Sequence, residues 1–179
     1  MPIHSLAVFC GSKNGDKPIY LTHTVALGKL LALQKITLIY GGGGKGVMKL
    51  LADSVMDEGG TVVGVIPKTL LEREHEHKNI SEMIVVDDMH TRKKIMYSMC
   101  DAAMALPGGF GTLDEFFEML TWNQLSIHNK KIFLLNSGGF YDHLILHISK
   151  LQNEGFLYET AKERIIVLDD PQQLLEHIQ

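Results

Sequence analysis

The chain of 179 residues carries 17 Lys and Arg against 21 Asp and Glu, a formal charge of −4 and a pI near 6.1. Its cations are scattered rather than clustered, which excludes the basic footprint of a nucleic-acid binder and leaves small molecules or a second copy as partners. The length suits one compact domain over 1–179, with no linker, repeat or low-complexity tract to divide it. No apolar run approaches the roughly 18 residues of a membrane span and no charged leader precedes an h-region, so the expectation is no membrane, a cytoplasmic setting and two free thiols, Cys10 and Cys100.

In chain order, "SLAVFC" reads as a first strand, and Pro18 suits the first turn of a helix through "IYLTHTVALGKLLALQ". Further β-rich apolar runs follow at "ITLIYG", "TVVGVIP", "MIVVDD", "AAMALPGG", "KIFLLN" and "RIIVLDD", most of them separated by helix-length amphipathic stretches. Pro171 opens a C-terminal helix "QQLLEHI". Strands that alternate with helices and are apolar at consecutive positions predict an α/β fold, a doubly wound parallel sheet covered on both faces.

Three strands run into glycine-rich turns, "FCGSKNG", "YGGGGKG" and "LPGGFG". In an open parallel sheet these turns line the crevice beyond the carboxyl ends of the strands, where backbone N–H groups and a helix N-terminus suit a phosphate. Tight strand-to-helix turns also need glycine for purely conformational reasons, but three such loops together favour a nucleotide or sugar phosphate. "GGGGKGV" is not a Walker loop, because neither Ser nor Thr follows Lys45. Gly41, Gly43 and Gly46 have dinucleotide spacing, but Pro67 ends the next strand where that fingerprint wants an acid.

"PGGFGTLDE" at 107–115 matches the P-G-G-x-G-T-x-x-E signature of the Lonely Guy (LOG) family, the cytokinin-activating phosphoribohydrolases long labelled lysine decarboxylases. The resemblance extends over almost the whole chain through "VFCGSKNG", "YGGGGKGVM", "MHTRK" and "TWNQLSIHNKKIFLLN". It implies a Rossmann-like homodimer that hydrolyses the N-glycosidic bond of a nucleoside 5′-monophosphate, typically an N6-modified adenylate, with no metal or organic cofactor. By the same resemblance, catalysis falls to Glu115 and Arg92, and the substrate contacts to Ser12, Glu74, Arg92, Lys93, Gly108, Gly109, Phe110, Gly111, Thr112, Leu113, Asp114 and Thr121. Three positions depart from the family pattern: Asp114 where Glu is common, Phe110 where Tyr is, and Lys49 where Gly is.

The residues by themselves permit plainer roles. Thr112 and Glu115 have capping-box spacing, and Ser12 suits a helix-entry cap. Met89, Ile95, Met96 and Met99 fall at helical spacing, which by pattern alone leaves Arg92, Lys93 and Lys94 as a solvated face. Glu74 stands in a charged stretch, "LEREHEHKN", whose His75 and His77 lack a third ligand at metal-site spacing. "SIHNKK" loosely suggests a pyridoxal phosphate lysine, but Asn129 breaks that motif and the chain is small for such an enzyme. The alternative to an enzyme is a non-catalytic nucleotide-binding or sensor protein of the same superfamily.

Overall fold

The computed structural model describes residues 2–71, 75–158 and 164–178. Seven strands form one parallel sheet: β1 (Ser5–Phe9), β2 (Thr37–Tyr40), β3 (Val62–Pro67), β4 (Glu82–Val86), β5 (Ala102–Ala105), β6 (Lys131–Leu135) and β7 (Ile165–Leu168). Their order is β4-β3-β2-β1-β5-β6-β7, so the chain winds outward from β1 to one edge, returns beside β1 as β5, and winds outward to the other edge. All seven apolar runs of the sequence are strands, because a sheet covered on both faces buries consecutive side chains: β3 is buried at every position.

On one face lie α1 (Pro18–Leu33) and α2 (Gly46–Asp57), burying Leu27, Leu31, Leu51 and Val55 against Leu6, Val8, Leu38 and Tyr40. The other face holds α3 (Met89–Met99), α4 (Phe110–Gln124) and α5 (Asp142–Asn153), which bring Met96, Tyr97, Phe116, Met119 and Ile148 onto Ala7, Phe9, Ala103 and Ile132. Pro18 is the first residue of α1, as its fixed φ and missing donor favour. Pro171 opens a 3₁₀ segment, Pro171–Glu176, rather than an α-helix. Asp170 caps that segment reciprocally with Gln173, and six residues suffice to bury Leu174.

The reversal of winding falls between β1 and β5, with Phe9 opposite Ala105 at their carboxyl ends. The chain continues from both strands into glycine turns, the first and the third, and β2, on the other side of β1, ends in the second. This is the switch-point crevice at which open α/β sheets bind ligands.

Candidate functional site

The three turns meet. The Met48 N–H donates to the Gly11 carbonyl at 3.2 Å, and a Cβ on Gly46 would fall 2.3 Å from the Ser12 carbonyl carbon, so the first and second turns abut. Gly46 also has φ of +58°, where a side chain would be strained. A Cβ on Gly11 would stand 3.6 Å from Gly108 Cα, in contact with the third turn. Between the first and third turns lies a cavity of about 260 Å³ walled by Gly11, Ser12, Asn14, Tyr20, Gly108 and Gly109. Whole small-molecule sites usually run from about 300 to 1,000 Å³, so this cavity has the size for a portion of a ligand such as its phosphate.

Helix α4 starts directly at this cavity. Its N-cap is Gly109, which has no side chain to cap with, and the N–H groups of Phe110, Gly111 and Thr112 have no carbonyl a turn earlier in the helix to bond. Such an end suits an anion. The capping box suggested by Thr112 and Glu115 does not form: the helix begins at Phe110, two residues before Thr112, which therefore lies inside the first turn, buried, with its hydroxyl against Gly108. Phe110 is 94 % exposed, while Leu113 packs on the core beneath α4.

Arg92 and Lys93 are buried, which corrects the solvated face read from the helical pattern; only Lys94 is exposed. The physical reason is α4, whose carboxylates meet them. Arg92 Nη2 stands 3.6 Å from Glu115 Oε1, with both side chains more than nine-tenths buried. Lys93 Nζ bridges Asp114 Oδ2 at 3.1 Å and Glu118 Oε2 at 3.0 Å. Burial pulls the Lys93 ammonium down, but hydrogen bonds to Glu118 and Asp114 outweigh it and hold the group above the ordinary lysine value. Asp88 caps α3, accepting from the Thr91 N–H at 2.9 Å, and so sets Arg92 at the end of the first turn and Lys93 at the start of the second.

Glu118 and Tyr97 have no place in the family signature, yet they complete this contact. The Tyr97 hydroxyl donates to Glu118 Oε2 at 2.9 Å and to the Glu115 carbonyl at 3.3 Å. Burial and the neighbouring carboxylates push its pKa far up, so it stays a donor. The only sequence signal for either was helical spacing, Tyr97 four residues after Lys93 and Glu118 three after Glu115.

The Arg92 guanidinium is held but not satisfied. Nη1 donates to Met89 Sδ at 3.7 Å, the approach to Glu115 is longer than a good hydrogen bond, and buried Nε has no partner among the described residues. A buried guanidinium with donors to spare, facing a carboxylate beside an uncapped helix start, is arranged for an acceptor-rich ligand.

Thr121 stands apart from this group. It lies twelve residues along α4 from Gly109, about 18 Å at 1.5 Å per residue, exposed, with its hydroxyl donating to the Phe117 carbonyl. With Phe117, Leu120, Ile148, Leu151 and Leu157 it walls a separate cavity of about 210 Å³. Glu74 lies outside the described residues. Lys130 and Lys131 of "SIHNKK" are at the opposite end of the sheet, where Lys130 Nζ donates to the Cys100 carbonyl at 2.5 Å and Lys131 Nζ to the His177 carbonyl at 2.7 Å.

Fold and site together define a doubly wound α/β protein with a glycine-lined cavity at an uncapped helix start and a buried Arg–Glu pair at its switch point. The sequence profile of the family described as "Possible lysine decarboxylase" matches residues 48–178. The chain is 47 % identical over 162 residues to the Arabidopsis thaliana protein named "Probable cytokinin riboside 5'-monophosphate phosphoribohydrolase LOG6", covering 90 % of this chain and 81 % of that one. It is 44 % identical over 171 residues to "Cytokinin riboside 5'-monophosphate phosphoribohydrolase LOG2" of the same plant, covering 96 % and 80 %. Among solved structures, the molybdenum cofactor binding protein of Rippkaea orientalis superposes with a TM-score of 0.72 over 99 % of this chain and 96 % of that one, at 24 % identity, a likeness of fold alone. The chain belongs to the LOG family of phosphoribohydrolases.

Proposed function

We propose that the chain hydrolyses the N-glycosidic bond of an adenine-type nucleoside 5′-monophosphate, releasing free base and ribose 5-phosphate. The observation that carries the reading is the buried Arg92–Glu115 pair next to the uncapped start of α4. The 5′-phosphate sits on the N–H groups of Phe110, Gly111 and Thr112 and in the cavity between Gly11 and Gly108, with Ser12 at its rim. Fixing the phosphate fixes the ribose relative to Glu115. As the C–N bond breaks, positive charge builds on the anomeric carbon; the Glu115 carboxylate stabilises it and orients the attacking water. The Arg92 fork, with Nε to spare, hydrogen-bonds the nucleotide on the departing-base side. Lys93, tied to Asp114 and Glu118, holds α3 and α4 in register.

No cofactor enters this scheme. Lysine decarboxylation has no support in "SIHNKK", whose lysines are spent on carbonyls at the far end of the sheet. A homodimer accords with the apolar face of α4: Phe117 is 38 % exposed beside Thr121, and a second copy covering this face is how Thr121 would come near a nucleotide. Among the described residues no helix is long and apolar enough to cross a membrane, and a cytoplasmic setting suits Cys10 and Cys100, which form no disulfide.

The test is incubation with AMP, with N6-alkyl adenosine 5′-monophosphates and with the same nucleosides lacking phosphate, followed by chromatography. Free base is expected from the monophosphates, and far more slowly from the nucleosides. Binding without base release would return the chain to the non-catalytic nucleotide-binding alternative, and equal turnover of adenosine and AMP would remove the phosphate anchor.

A further inference from the structure

The segment before β4 is fastened to the second glycine turn. The Gly44 N–H donates to the His75 carbonyl at 2.6 Å, the His77 N–H donates to the Gly42 carbonyl at 3.0 Å, and Glu76 faces Gly43 in an isolated antiparallel bridge. The fit is close, since a Cβ on Gly44 would lie 2.4 Å from the His75 oxygen. His77 ties this strap down. It is 7 % exposed, and its Nε2 lies 2.8 Å from Asp53 Oδ1 on α2. The Asn79 N–H donates to Nδ1 at 3.2 Å, which assigns the neutral ring's proton to Nε2 and makes that nitrogen the donor to Asp53.

Asp53 is held in turn by Lys49, one helical turn earlier. Burial would raise the Asp53 carboxyl, but hydrogen bonds from Lys49 and His77 prevail and keep it below the ordinary carboxylate range. Lys49, a departure from the family pattern, thus has a defined partner.

Arg92 rests on the same turn. A Cβ on Gly41 would stand 2.0 Å from Arg92 Nη2, so the backbone there is in direct contact with the guanidinium. The turn from Gly41 to Gly44 therefore lies between the strap and Arg92. A histidine–carboxylate pair that is buried on its histidine side is a weak source of net stability, because desolvation offsets most of its attraction, but it holds a backbone in one place.

We infer that His77, anchored by Asp53, is a positioning residue for Arg92: the strap fixes the second glycine turn, and the turn fixes the guanidinium opposite Glu115. The inference rests on the assignment of Arg92 to the chemistry.

The experiment measures kcat and KM with an N6-alkyl adenosine 5′-monophosphate for His77→Ala, His77→Gln, Asp53→Ala and Arg92→Lys, and for His77→Ala combined with Arg92→Lys. His77→Ala is expected to lower kcat about tenfold or more, the scale of a sub-ångström to 1 Å misplacement, with KM within about threefold. His77→Gln, which keeps a donor near the Nε2 position, recovers most of the loss. In the Arg92→Lys background His77→Ala has less than about a twofold further effect, because the fork it positions is already gone. Should His77→Ala not fold, Asp53→Ala decides, since Asp53 is one-third exposed on a helix; it is expected to show the same fall in kcat. Unchanged kcat in His77→Ala or Asp53→Ala, or an equal loss in both Arg92 backgrounds, overturns the strap alone. Wild-type turnover by Arg92→Lys overturns the strap and the role of Arg92 together.

Discussion

Gly41→Ala adds one methyl group at the point where the second glycine turn meets Arg92. The new Cβ would lie 2.0 Å from Nη2, whereas real Cβ contacts essentially never fall under 3.0 Å, so the guanidinium must retreat by at least about 1 Å. Gly41 is not among the positive-φ glycines, so alanine adopts its backbone without strain. Beyond Arg92, whose Cζ would also stand close at 3.0 Å, the next contact is Met48 Sδ at 3.4 Å, which is ordinary. The backbone therefore stays and the side chain moves. A displacement of this size in a group that orients a reacting substrate costs about a hundredfold, or about 2.7 kcal/mol of transition-state stabilisation. Stability should change little, since alanine restricts the unfolded chain by about 0.4–1 kcal/mol while the displaced guanidinium gives up contacts of similar worth. The assay is base release from the monophosphate by chromatography, paired with thermal unfolding. Turnover within about threefold of wild type in a normally folded Gly41→Ala would refute the claim that Arg92 acts from the position seen here.

Glu115→Gln keeps the side chain's size and one acceptor oxygen but removes the charge facing the anomeric carbon, and should reduce turnover at least about a hundredfold while AMP binding, followed by calorimetry, persists. Near-normal hydrolysis would move the search to Asp114 or Glu74. Asp101 accepts from the His4 and Ser5 N–H groups at 2.8 and 2.9 Å; burial raises its carboxyl, but these bonds prevail and hold it below the ordinary value. A group whose folded pKa is depressed contributes stability that is full above its unfolded value, roughly 3.9, and is lost as pH falls through the folded value. Asp101→Ala should therefore lower the thermal midpoint at pH 7, with the gap to wild type narrowing below pH ~4; a gap constant from pH 7 to pH 3 would count against the charged interaction.

Much of the fold was legible in the sequence because strands buried on both faces must be apolar without alternation, and Pro18 and the three glycine turns mark where strand passes to helix. The turn "PGGFGTLDE" likewise marked the site, since backbone N–H groups can reach an anion only where side chains are absent. The sequence did not determine which carboxylate meets which cation. Arg92 and Lys93 look like a solvated face until α4 packs beside α3 and places Glu115, Asp114 and Glu118 against them, some twenty residues away in the chain. Thr112 looked like a cap because spacing alone cannot locate a helix start, which the fold places at Phe110. His77 looked like a stray ligand, and Lys49 an unexplained departure, until the strap, the second turn and α2 were assembled around Asp53. Local pattern records what each residue needs, burial or a turn; only the tertiary structure decides which distant group supplies the charge that lets a buried cation stay buried.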